Sequence, residues 1–93
     1  MFEMGVIVVT RGVGDLMDEN RDFAYFVGTS LVRYSHCEWG ELAEDDRKAN
    51  DSALFVGDRI MGSYENGEHP DWKIWIITEW DRSVTTILFP DEY

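Results

Sequence analysis

Residues 73–89, KIWIITEWDRSVTTILF, decide the architecture. Their pattern repeats every two residues on either side of Asp81-Arg82, which reads as two strands joined by a tight turn. With Asp81 and Arg82 as the loop, Trp80 pairs with Ser83, Thr78 with Thr85, Ile76 with Ile87 and Ile74 with Phe89. That set forms a core face. The opposite face then carries Trp75, Ile77, Val84 and Leu88, so the hairpin is apolar on both sides. A strand in a small sheet ordinarily buries one face and keeps polar residues on the other. A second cover is therefore expected, from another subunit, from the acidic connection or from a partner. A homodimer contact is the preferred expectation.

Upstream, residues 59–65 continue the same period ahead of the turn Asn66-Gly67-Glu68-His69-Pro70, which completes a three-strand meander. Residues 6–10, VIVVT, are rich in β-branched side chains and end at Arg11-Gly12, predicting a first strand closed by a glycine turn. Between these blocks the period becomes helical. Asn20 is a cap, Asp22 suits the positive end of a helix dipole, and Phe23, Phe26, Val27, Leu31 and Tyr34 form one stripe, predicting a helix over 21–34. Residues 38–58, EWGELAEDDRKANDSALFVGD, are helical by propensity, with Leu42, Ala49, Ala53 and Val56 as a weaker stripe and Gly57 as the stop; the alternative is two helices broken at Asn50-Asp51-Ser52. The expected fold is α+β in a single domain. It has a four-stranded, mainly antiparallel sheet in the chain order β-α-α-β-β-β, with two helices packed on one face.

Hydrophobic residues make up 44% of the chain and aromatic residues 14%, enough for a folded core. Asp and Glu number 19 against 8 Lys and Arg, a net charge of −11. Such a charge repels nucleic acid and anionic membrane, and it favours the basic surface of a protein or ribonucleoprotein complex as partner. Cys37 is the one cysteine, so no intramolecular disulfide can form. With no cationic leader or long apolar run, the expectation is a soluble cytoplasmic protein.

The chemistry-bearing residues give little. Gly12-Val13-Gly14 follows a strand but lacks the third glycine and the lysine of nucleotide loops, and Asp15 stands where an anion would sit. His36, Cys37 and Glu38 are chain neighbours that cannot all face one ion, and His69 lies in a distant turn. Neither a metal site nor a Cys–His nucleophile is expected. Glu79 with Asp81 is a carboxylate pair, but among so many acids nothing singles it out for acid–base work. No catalytic residue, cofactor or metal is assigned, and the expected function is non-enzymatic.

The acidic block is the more informative feature. Glu38, Glu41, Glu44, Asp45, Asp46 and Asp51, joined by Asp15, Asp18, Glu19 and Asp22, gather negative charge on the helical half of the chain. Helical neighbours three and four apart lie about 5–6 Å from each other, a spacing able to imitate a phosphate backbone. The competing reading is a solubility surface partly neutralised by Arg47 and Lys48.

The segments Val8-Val9-Thr10-Arg11-Gly12-Val13, Asn50-Asp51-Ser52-Ala53-Leu54 and KIWIITEWDRSVTTILFPDEY (73–93) together resemble a family of small plasmid-related proteins of unknown function from Firmicutes, found on plasmids and integrated conjugative elements. The chain is also distantly similar to a broader family that begins with a Thr-Arg-Gly turn and ends with a short strand and Glu-Tyr. The resemblance implies a mobile-element setting. Small acidic proteins of such elements include anti-restriction and anti-CRISPR inhibitors. The leading expectation is thus an inhibitor of a host nucleic-acid-handling defence complex, docking Glu41, Glu44, Asp45 and Asp46 on basic surfaces. The alternative is an accessory interaction module of a conjugative element, acting through the sheet face around Trp75 and Leu88.

Overall fold

The computed structural model describes residues 2–93. They run β1 (Val6–Val9), α1 (Arg11–Glu19), α2 (Arg21–Ser35), α3 (Glu44–Val56), β2 (Ile60–Glu65), β3 (Lys73–Thr78) and β4 (Val84–Leu88), followed by a 3-10 turn at Pro90–Glu92. The sheet order is β1-β4-β3-β2. The meander is antiparallel and β1 joins β4 in parallel, so the α+β sheet is mixed.

The central hairpin adopts the expected register, with Thr78 opposite Thr85 and Ile76 opposite Ile87, and its ladder ends at Trp75 opposite Leu88. Its tip is wider than two residues. The Glu79 N–H donates to the Val84 carbonyl (3.1 Å) and the Arg82 N–H to the Glu79 carbonyl (2.9 Å), so Trp80 and Ser83 belong to the turn. Asp81 shapes the tip by accepting from the Ser83 N–H and hydroxyl. Arg82 adopts φ 60, uncommon for a residue with a side chain. From there its guanidinium donates to the carbonyls of Ala53 (3.0 Å) and Asp58 (2.7 Å). The hairpin tip thereby caps the C-terminal end of α3.

Two helix boundaries differ from expectation. Arg11-Gly12 does not end in a turn, because α1 continues to Glu19 with Val13 fully buried and Leu16 and Met17 partly so. The described residues therefore form three α-helices where the pattern predicted two. The second predicted helix begins at Glu44 instead of residue 38. Gly40, at φ 76, bridges to Ser63 of β2, and a Cβ there would strike the Ser63 carbonyl. Residues 39–41 thus run along the β2 edge in place of a helical turn.

The core lies between α1 and α2 and the sheet face bearing Ile60, Tyr64, Ile74, Ile76, Thr78, Thr85 and Ile87, each at most 2% exposed. Phe23 and Phe26 of α2 meet Trp72, and Phe23 also meets Phe89. Polar groups enter this core as one connected chain. The Thr85 hydroxyl donates to the Met4 carbonyl (2.7 Å), Thr78 lies 2.7 Å from Thr85, and the Tyr34 hydroxyl lies 2.7 Å from Thr78 and 3.2 Å from the Ile60 carbonyl.

The β2 edge is closed from within the chain. The Asn50 side chain donates to the Met61 carbonyl (2.6 Å) and accepts from its N–H (3.2 Å). The Ser63 N–H donates to the Trp39 carbonyl, and the Ser63 carbonyl accepts from the Glu41 N–H. The Glu65 N–H finds the Glu41 carboxylate (3.1 Å). Asn50, 6% exposed, thus stands in for a missing fifth strand. Asn50→Ala leaves both Met61 groups without their partner. It should cost about 2–3 kcal/mol in urea unfolding and speed exchange of the Met61 amide.

Candidate functional site

The acidic block separates into carboxylates held by the fold and carboxylates left to solvent. Glu38 takes a two-point contact from the Arg33 guanidinium, with Arg33 Nε 2.6 Å from Glu38 Oε2. This hydrogen bonding holds the Glu38 carboxyl below its usual range and raises Arg33. Glu41 caps the β2 edge. Asp51 accepts from the Trp39 indole N–H (3.2 Å). These three residues have structural work.

Glu44, Asp45 and Asp46 form the exposed first turn of α3. Acids there complement the positive end of the helix dipole, and Glu44 also faces Lys48 at 3.7 Å. Arg47 makes no ion pair with them: its two hydrogen bonds run to the carbonyls of Gly40 and Leu42.

Asp15, Asp18 and Glu19 differ from all of these. They lie exposed on α1, a helix with no basic residue in its last turn. Asp15 sits one helical turn from both Asp18 and Glu19, and the last two occupy the negative end of the dipole, where acids are unfavourable. Asp22 continues the charge into the first turn of α2. Among the described residues the ion pairs are Arg33–Glu38 and Lys48–Glu44, so none of these four acids is paired.

The second apolar sheet face is partly covered by the chain itself. Ile77 and Leu88 are 3% and 4% exposed, while Trp75 and Val84 are half-buried. Tyr93 meets Trp75 edge-on with centroids 5.8 Å apart, and the Arg59 guanidinium lies 5.1 Å over the Tyr93 ring.

Other candidate residues stay apart. Among the described residues no group of three or more His, Cys, Asp or Glu is placed to hold a metal ion. His36 points Nδ1 at the Val32 carbonyl (2.9 Å), Cys37 is half-buried at φ 64, and His69 stacks on Trp72 at 3.9 Å. Among the described residues, no helix is long and apolar enough to cross a membrane.

Glu92 is the functional-looking residue that sequence reading missed. Its carboxylate accepts from the Thr10 hydroxyl (2.6 Å), the Phe89 N–H (2.9 Å) and the Gly12 N–H (3.1 Å). It therefore fills the N-terminal end of α1, the place where a strand-to-helix glycine loop would hold an anion. The Thr-Arg-Gly and Glu-Tyr segments thus meet in space. No protein-family model, curated protein or solved structure matches the chain.

The Thr10 hydrogen bond, with those from Phe89 and Gly12, lowers the Glu92 carboxyl from its ordinary value of 4.5. A carboxyl lowered by folding adds stability above its unfolded value and loses it as pH falls through the depressed one. Glu92→Gln should therefore be less stable than the parent at neutral pH. Denaturant titrations from pH 7 down to about 3 should show that difference shrinking as the parent carboxyl is protonated.

Proposed function

We infer that the protein is a non-enzymatic acidic binding protein whose partner presents a basic surface. The observation that carries this reading is the unpaired acidic face of α1. A solubility surface mixes charge signs and follows helix dipoles. Asp18 and Glu19 stand at the negative end of their own helix with no ion pair among the described residues, so a cationic partner would supply the countercharge on binding. The exposed first turn of α3 supplies further carboxylates in Glu44, Asp45 and Asp46, while Glu38, Glu41 and Asp51 belong to the scaffold.

The family resemblance supports a more specific form of the reading. On a mobile element, the basic surfaces to be occupied are the nucleic-acid channels of host defence complexes, and the mode of action is anti-restriction or anti-CRISPR inhibition. Carboxylates at helical spacing compete there for the Lys and Arg groups that otherwise hold phosphates. The accessory-module reading draws on the half-exposed Trp75 and Val84, and it requires association that is indifferent to salt.

The combined variant Asp15→Asn, Asp18→Asn, Glu19→Gln should raise stability by about 0.5–1 kcal/mol through relief of like-charge and dipole repulsion. The same variant should weaken binding to, and inhibition of, guided-nuclease and restriction complexes by at least tenfold or so at low salt, with a shallower salt dependence than the parent. Unchanged inhibition, with Glu44, Asp45 and Asp46 also neutralised, would rule the proposal out.

A further inference from the structure

The two edges of the sheet are treated in opposite ways. Asn50, Trp39 and Glu41 satisfy the outer groups of β2, whereas β1 at the other edge carries Val6, Ile7, Val8 and Val9 at 66%, 44%, 39% and 41% exposure. Natural edge strands are usually blunted by a charge, a proline, a bulge or a cover. β1 is an uncharged, β-branched strand without proline. In its parallel pairing with β4, the Val6 N–H reaches the Ser83 carbonyl and the Thr10 N–H the Ile87 carbonyl, so the even-numbered residues face β4. Ile7 and Val9 therefore direct their N–H and C=O groups outward.

We propose that β1 pairs antiparallel with β1 of a second copy of this chain, joining two four-stranded sheets into one continuous sheet. The outward groups are self-complementary. A two-fold axis at Val8 places Ile7 opposite the partner's Val9 as a hydrogen-bonded pair, and the reciprocal pair follows by symmetry. All four N–H groups and all four carbonyls of the two edges are then used. Val8 faces the partner's Val8 in the intervening non-hydrogen-bonded position, where side chains approach most closely.

Charge selects the same occupant and direction. Residues 4–10 carry no charge in a protein of net −11, so β1 is a stretch where two acidic copies can approach. Glu3 precedes the strand and Arg11 follows it. Antiparallel pairing brings the acidic end of one copy toward the basic end of the other, whereas parallel pairing would bring like charges together. Because both copies are acidic overall, screening should favour this association. Binding to a basic partner has the opposite salt dependence.

Sedimentation equilibrium of the full chain should show a monomer–dimer equilibrium whose dissociation constant falls about tenfold between low salt and roughly 0.5 M NaCl. The Ile7 and Val9 amides should become protected from exchange as protein concentration rises. Ile7→Pro removes only an outward N–H, so the monomer should keep its circular dichroism and thermal transition while the dimer is lost. In a Cys37→Ser background, Val8→Cys should give an intermolecular disulfide under mild oxidation, since facing residues at this position have Cα atoms about 4.5 Å apart. Ile7→Cys should not. A chain that stays monomeric at every salt concentration overturns the proposal. So does a dimer that survives Ile7→Pro, or one in which the Ile7 and Val9 amides exchange freely.

Discussion

A row of buried hydroxyl groups ties the fold together. The Thr85 hydroxyl has one proton, and it goes to the Met4 carbonyl. Thr85 must therefore accept from Thr78, and the one proton of the Tyr34 hydroxyl lies between the Thr78 oxygen and the Ile60 carbonyl. Each side chain is essentially inaccessible to water, so a break anywhere strands a polar group in a low-dielectric interior. The row crosses the segment before β1, then β4 and β3, and reaches α2, fixing four parts of the chain relative to one another. Val at position 85 would have the right shape and β propensity but would leave the Met4 carbonyl and the Thr78 hydroxyl without their shared partner. Around this row the aromatic side chains of α2 and the isoleucines of the sheet supply burial without directional demand.

The same accounting explains how charge is distributed. Several backbone N–H groups without a ladder or helix partner take one from an acid or amide: Asn20 serves the start of α2, Glu41 and Asn50 serve β2, and Glu92 serves α1. Among the acids left without such a role, Asp15, Asp18 and Glu19 sit together on α1 and Glu44, Asp45 and Asp46 on the first turn of α3. Protein stability is a small difference between large terms, so an exposed acid at the wrong end of a helix is a measurable burden. The surface is therefore uneven: one part follows the local electrostatics of its helix and another opposes them.

The meander was legible because its period of two fixes faces and register together, and the Thr78–Thr85 and Ile76–Ile87 pairs follow from that pattern alone. The α2 helix was legible for the same reason at a different period, with Asn20 accepting from the Phe23 N–H as a cap should. α1 was hidden by Gly12 and Gly14, which read as a turn. Its stabilising partners are the core around Val13 and a carboxylate 80 residues further along. Residues 38–43 have helical propensity, yet a backbone contact between Gly40 and Ser63 overrides it. The acidic block was legible as composition and not as a surface. Whether Glu41 or Asp51 is free depends on Glu65, 24 residues away, and on Trp39, 12 residues away, and no local pattern encodes either distance. Trp75 posed the reverse case, since its partner Tyr93 belongs to the segment beyond the meander.

The parallel pairing of β1 with β4 also has a kinetic consequence. Val6 lies opposite Val84 and Thr10 is bonded to Glu92, so the first strand has no sheet to join until nearly the whole chain is present. The meander can assemble from neighbours joined by short turns, whereas docking β1 must close a loop that spans most of the sequence. β1 is thus the late element in folding and the first available to detach. In amide exchange it should open as a unit of lower stability than β2, β3 and β4.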